Sequence, residues 1–329
     1  MAPRLRPVVL VAGLVASLAL TYFALRDIDF STFLNALGAG HPAWLGASLA
    51  AFAAAYGVRV VRWSILFEPA TRPRPTALVR ALVAGEFFTS LLPVLRLGEV
   101  ARVIVLHRAA RTPRADAAGT VVAERTHDAA ALLFLLFLAV PFAPAVTWLR
   151  AAAIFIALLA AGSLVGLLVL KKFGSRPIGL LLRPLAWMPG LSRAHTDRAA
   201  EGVLRGLRGL RSLRVASAAF VLSALFWCGV ALSYLLALRV VEIHVGLDAG
   251  IIVAVATTFS LLLPSLPASV GIFEAAALVG LKPYGVGGAH ALSGAVVIHV
   301  LTFVPFLVVG PFALRGHVLG PHWLTRPTT

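Results

Sequence analysis

The chain is poor in what a soluble enzyme needs. It has a single cysteine, Cys228, which lies inside an apolar run, so neither an internal disulfide framework nor a Cys-rich metal site can form within one chain. Acids are scarce, 13 Asp and Glu against 29 Lys and Arg, and charged residues together make up only 13% of the sequence. No H-E-x-x-H, no P-loop and no G-x-S-x-G elbow occurs, so the common zinc-hydrolase, nucleotide-phosphate and hydrolase signatures are missing. No cofactor or metal site is expected, no catalytic residue can be assigned, and a role as a transporter is expected over a role as an enzyme.

What is present is hydrophobic length. Of the 329 residues 60% are hydrophobic, mean hydropathy is +0.94, and several apolar runs reach the roughly 18 to 20 residues needed to cross a bilayer. The runs are continuous, not alternating, which disfavours a β-barrel. The formal charge of +16 would suit nucleic acid, but the Lys and Arg sit in links beside the apolar runs, where they set topology. No nucleic-acid partner is expected.

Two stretches organise the chain. Phe87 to Arg102 contains Leu91-Leu92-Pro93, a short breaker segment with Arg96, then Gly98-Glu99 and Arg102. Thr258 to Glu274 contains Leu262-Leu263-Pro264, then Pro267, then Gly271 and Glu274. Pro removes a backbone donor and Gly permits positive φ, so each stretch should break a helix. Spans are expected at about 8–25, 43–66, 118–140, 146–170, 215–238 and 289–312, with broken segments at about 77–106 and 249–282. The link 171–214 holds ten Lys and Arg against Asp197 and Glu201 and belongs on the cytoplasmic side. Within it, Leu204, Leu207, Leu210 and Leu213 alternate with Arg205, Arg208, Arg211 and Arg214. This reads either as a helix lying on anionic headgroups or as a plain basic loop.

Both flanks of the first broken segment are basic, and its second arm, 98–106, is too short to cross. A re-entrant hairpin from the cytoplasmic side satisfies both facts, and a pair of Pro-kinked spans is the alternative. The resulting order is span, span, hairpin, span, twice over, in opposite orientations. The expectation is therefore an all-α polytopic membrane protein of about six full spans plus two re-entrant hairpins in an inverted-topology repeat. Residues 1–145 form the first repeat and 146–329 the second. Both termini are placed in the cytoplasm and the protein in the cytoplasmic (inner) membrane.

Glu124, Arg125, His127 and Asp128 fall inside an apolar span, where ionisable groups are costly unless paired or wetted. Glu124 and Asp128 are four apart and share a helix face, and Arg125 can reach Asp128. Glu99 or Arg102 could be their partners, as a binding site or as a structural salt bridge. Glu99 to Glu124 and Glu274 to His299 share a 25-residue spacing. Broken helix ends favour anions, and with Arg96, Arg102 and Arg125 close by, an anionic lipid headgroup is the expected partner. Arg59, Arg62 and Arg80 read most simply as side chains reaching for the cytoplasmic interface.

Leu91-Leu92-Pro93 with Gly98-Glu99 and Arg102, Ala123-Glu124-Arg125 with Asp128, and Leu263-Pro264 with Pro267 and Gly271-Ile272-Phe273-Glu274, in that order, resemble the lysylphosphatidylglycerol synthase transmembrane family, a flippase-like domain. The resemblance covers roughly 10–313. It implies movement of an anionic or aminoacylated phospholipid, or of a polyprenyl-linked lipid, between leaflets. It also implies functional positions at Pro93, Gly98, Glu99, Arg102, Glu124, Arg125, Asp128, Pro264, Gly271 and Glu274. Where the family usually has Pro-Gly-Gly before the second Gly-x-x-Glu, this chain has Pro267-Ala268-Ser269, which puts a shared substrate in question. No aminoacyl-transferase domain follows, so an aminoacylated cargo would come from a separate synthase acting as partner. An intramembrane transferase using Glu99, Glu124 or Asp128 as base, and a non-catalytic scaffold for a lipid synthase, are the alternatives.

Overall fold

The structure, a computed structural model, describes residues 41–91, 97–144, 212–261 and 269–314, with scattered helical positions between 154 and 173. Among the described residues there are eight α-helices longer than two turns and no strand. They are α1 (Pro42–Ile65), α2 (Pro75–Leu91), α3 (Leu97–Ala110), α4 (Arg114–Ala139), α5 (Leu213–Val240), α6 (Leu247–Ser260), α7 (Ile272–Leu281) and α8 (Gly288–Leu314). The expected spans 8–25 and 146–170 fall wholly or largely outside the described residues. So do the Leu/Arg stripe up to residue 211 and both breaker segments with Pro93, Arg96, Pro264 and Pro267.

Length divides the helices into two kinds. α1, α4, α5 and α8 have 24 to 28 residues, about 36 to 42 Å at 1.5 Å per residue, enough to cross a core about 30 Å thick. With the turn that extends α4, they are the four described helices long and apolar enough to span a membrane. α2, α3, α6 and α7 have 17, 14, 14 and 10 residues, or about 15 to 26 Å. Pro42 and Pro75 open α1 and α2 at the first helical position, where their missing N–H costs nothing. The second arm of the first broken segment is longer than its expected nine residues. α3 continues through His107 and Arg108, whose cationic side chains suit a helix C-terminus.

The order long, short, short, long therefore occurs twice. α1 packs most extensively on α5, followed by α2 on α3, α2 on α8 and α6 on α7; α4 packs on α5 and, less closely, on α6. Exchanging the first four helices for the last four turns α2 on α8 into α6 on α4, and α3 on α4 into α7 on α8; all four contacts are present. The α1–α5 seam is close because its residues are small. A Cβ on Gly229 would lie 2.8 Å from Ala55 Cβ, and Ser48 Oγ donates to the Ser233 carbonyl at 2.6 Å. Phe52, Tyr56, Phe226 and Phe306 stack beside it with ring centroids 4.8 to 6.0 Å apart, bringing α8 against α1.

The arms α2 and α3 run antiparallel, with Gly85 against Arg102 and Thr89 against Gly98. A Cβ on Gly98 would collide with Thr89 Oγ1 and the Gly85 carbonyl. At the other end of the second pair, Tyr284 Oη donates to Asp248 Oδ2 at 2.6 Å, tying the start of α6 to the turn after α7. Burial and then the carboxylate push that phenol up, so it stays the donor.

The Gly98 contact is testable. Gly98→Ala should cost about 1 to 3 kcal/mol, the usual range for overpacking. Gly57→Ala, with nothing within 4 Å of the new methyl, should cost nothing or stabilise slightly, since Ala is the better helix former. Thermal unfolding in detergent separates the two; equal melting temperatures would contradict the close approach.

Candidate functional site

Four helices bring eight charged side chains together. On α1, Arg59 and Arg62 are three apart and share a face; on α4, Glu124 and Asp128 are four apart and share another. The faces meet. Arg59 Nε lies 2.9 Å from Glu124 Oε1, and Arg62 Nη2 lies 2.8 Å from the same oxygen. Arg62 Nη1 pairs with Asp128 Oδ1 and donates to Ser223 Oγ at 2.7 Å. The short pair joins from its own side. Arg102 of α3 pairs through Nη2 with Glu124 Oε2, and Arg59 Nη1 reaches Glu86 Oε1 of α2 at 2.6 Å.

Burial makes this pairing obligatory. Glu124 and Arg62 are fully buried, and Arg59, Arg102 and Asp128 are 3 to 4% exposed. An isolated charge at such a place costs several kcal/mol, so each must find a partner. Aromatic groups complete the shell. Arg102 lies flat on Trp63, its guanidinium carbon 3.6 Å from the ring centroid. Trp63 Nε1 donates to Thr120 Oγ1 at 3.0 Å, and Trp227 Nε1 donates to Asp128 Oδ1 at 3.1 Å. Even so, Arg102 Nε and Nη1 and Arg62 Nε have no hydrogen-bond partner.

One pair on the edge differs. Arg125 Nε lies 2.8 Å from Glu99 Oε1, with side chains 41% and 28% exposed, and Arg125 Nη1 lies 3.5 Å from Asp128 Oδ2. This is the part of the network that the surroundings reach.

The structure thus brings together Glu99, Arg102, Glu124, Arg125 and Asp128, and gives Glu124 and Arg125 the partners Arg102 and Glu99. Glu274 is not in the network. Its carboxylate accepts from the Gly271 N–H at 2.7 Å and contacts His299 Nδ1 at 2.5 Å. Gly271, at φ 86°, opens α7, and Ser269, at φ 58°, stands just before it. Ser269 occupies the left-handed region that the expected Gly-Gly would have entered without strain.

Arg59 and Arg62 correct the expectation that they reach for the interface. They turn inward because α4 offers carboxylates at matching spacing. Arg80, on an exposed face of α2, keeps the interfacial reading. The one signal in the sequence is their spacing, two Arg at i and i+3 on one apolar helix against two acids at i and i+4 on another, and it does not by itself tell inward from outward.

The network is a stability determinant with a sharp gradient. Glu124→Gln leaves Arg59, Arg62 and Arg102 short of a counter-charge and should cost about 3 to 5 kcal/mol, the range for breaking a buried pair. Glu99→Gln, at the exposed edge, should cost about 0 to 1 kcal/mol. Denaturation of the purified protein checks the order; similar losses would mean that Glu124 is not the centre of the network.

Comparison with known proteins gives one answer. No curated protein and no solved structure matches the chain. A family model described as the lysylphosphatidylglycerol synthase TM region matches residues 10–310. Together with the four spanning helices, this makes the protein a multi-pass member of the lysylphosphatidylglycerol synthase transmembrane family, a membrane domain associated with lipid-related function.

Proposed function

We propose that the protein is a flippase-like transporter that carries a charged lipid headgroup between leaflets, with the acyl or prenyl tails left in the bilayer. The observation that carries this reading is the buried ion network built on two short antiparallel helices inside a bundle of spanning ones. Polar groups at such depth are expensive and mark substrate pathways. Interrupted helices in matching places of two halves are where transporters hold their cargo. On this reading α2–α3 and α6–α7 are the two re-entrant hairpins of an inverted repeat, and alternating access comes from one half rocking against the other.

The network suggests which headgroup fits. Among the described residues Arg59, Arg62, Arg102 and Arg125 face Glu86, Glu99, Glu124 and Asp128. A phosphate can take two parallel N–H bonds from a guanidinium, and Arg102 holds donors in reserve. The Arg125–Glu99 pair is the one that can open. A headgroup carrying both phosphate and ammonium can engage both members of the pair, phosphate on Arg125 and ammonium on Glu99. An aminoacylated phospholipid carries both groups.

The test is leaflet exchange of fluorescent phosphatidylglycerol and of its aminoacylated form in vesicles containing the purified protein. Wild type should exchange the aminoacylated lipid faster than protein-free vesicles do. Glu99→Gln and Arg125→Ala, checked for folding, should lower that rate at least about tenfold, a loss of roughly 1.4 kcal/mol in transition-state stabilisation. Absence of exchange for every headgroup, prenyl-phosphate sugars included, would overturn the transport reading.

A further inference from the structure

The two halves repeat one contact in different chemistry. In the first, Glu99 is the third residue of α3 and Arg125 the twelfth of α4, and they pair at 2.8 Å. In the second, Glu274 is the third residue of α7 and His299 the twelfth of α8, and they meet at 2.5 Å. Each contact fastens the second short helix of its half to the long helix that follows. The first uses a cation that never loses its proton; the second uses the side chain that titrates in the physiological range.

We propose that Glu274 and His299 form a proton-binding latch, in which a proton on His299 holds α7 against α8 and its loss releases α7. Glu274 is set to remain the anion. It sits in the first turn of α7, where the helix dipole favours negative charge, and its second oxygen takes the Gly271 N–H. His299 lies between Phe273 and Phe303, with ring centroids 4.8 and 4.4 Å away, and those rings favour an imidazolium. The two side chains are 12% and 10% exposed, so the pair lies at the edge of the packing and not sealed within it.

The surroundings leave this pair to itself. From α5 comes Tyr234, whose hydroxyl lies 3.3 Å from Thr302 Oγ1. α6 brings Thr257 and Ser260, which bond to their own helix. α2 meets α8 through Phe87 at Gly310, and its Glu86 is held by Arg59. Along the paired helices themselves, Lys282 lies eight residues from Glu274 and His290 nine from His299, about 12 to 14 Å away at the helical rise. Asp248, at the far end of α6, is held by Tyr284. Among the described residues no fixed charge competes for the His299 proton.

The sign follows directly. With His299 protonated and Glu274 ionised the pair attracts, so protonation closes the latch and loss of the proton loosens it. Its use in coupling lipid movement to protons rests on the transport reading; the latch itself does not.

Hydrogen–deuterium exchange of the α7 amides, in the full chain in lipid nanodiscs and corrected for intrinsic exchange, tests it. Wild type should lose protection of residues 272–281 several-fold when pH is raised from about 5.5 to 8.5, a window wide enough for a histidine switch. His299→Arg, which copies the first half, should stay protected throughout. Glu274→Gln should be poorly protected throughout. Uniform protection in wild type, or a pH response that survives in Glu274→Gln, overturns the latch whether or not His299→Arg folds. Lipid exchange measured on the same preparations keeps the two proposals apart. A pH-dependent α7 without exchange upholds the latch and sinks transport; exchange with a pH-independent α7 does the reverse.

Discussion

The described bundle depends on the burial of one carboxylate. Glu124 is fully enclosed, and three guanidiniums from two other helices converge on its two oxygens. At about 3 Å and an effective dielectric near 20, each such pair attracts by roughly 5 to 6 kcal/mol. Stripping water from each ion costs several kcal/mol in the other direction. The gain exceeds the cost only while the partners stay in place. α1, α3 and α4 are therefore fixed to one another by charge as much as by shape, and the small-residue contact between Gly85 and Gly98 carries that constraint to α2.

This constraint makes the halves unequal. The first half is cross-linked by a network whose cations cannot be neutralised at any physiological pH. The second half keeps the same order of helices and the same neighbours, but holds its short pair with one Glu–His contact, aromatic packing and small-residue contacts such as Gly280 on Val253. Releasing the second short pair from its long neighbours therefore breaks fewer ion pairs than releasing the first.

Much of this was legible in the residues. Continuous apolar runs place the four described spanning helices to within a few residues. Pro and Gly fall between the paired short helices, and acids four apart inside an apolar run announce a buried partner. The partners on α1 were not legible, for a physical reason. An Arg near the end of an apolar helix looks the same whether it reaches out to headgroups or in to a carboxylate; the difference lies on a helix about 65 residues away. Charge on His107 and Arg108 likewise suggested that α3 ended early, because apolarity tracks the membrane and not the helix. Ser269 shows the converse case: a departure from the expected Gly-Gly, visible in the sequence, becomes meaningful only once its backbone is seen at positive φ.

The pairing divides the network into a fixed core and an exposed edge. Among the described residues four cations face four anions, so an ion from outside enters by exchanging partners with a pair already made. Glu124 cannot give up its arginines without leaving charge stranded. Arg125 and Glu99 can part, because both already face the surroundings. In a network buried this deeply, a charge left unpaired costs more than a single added contact gains.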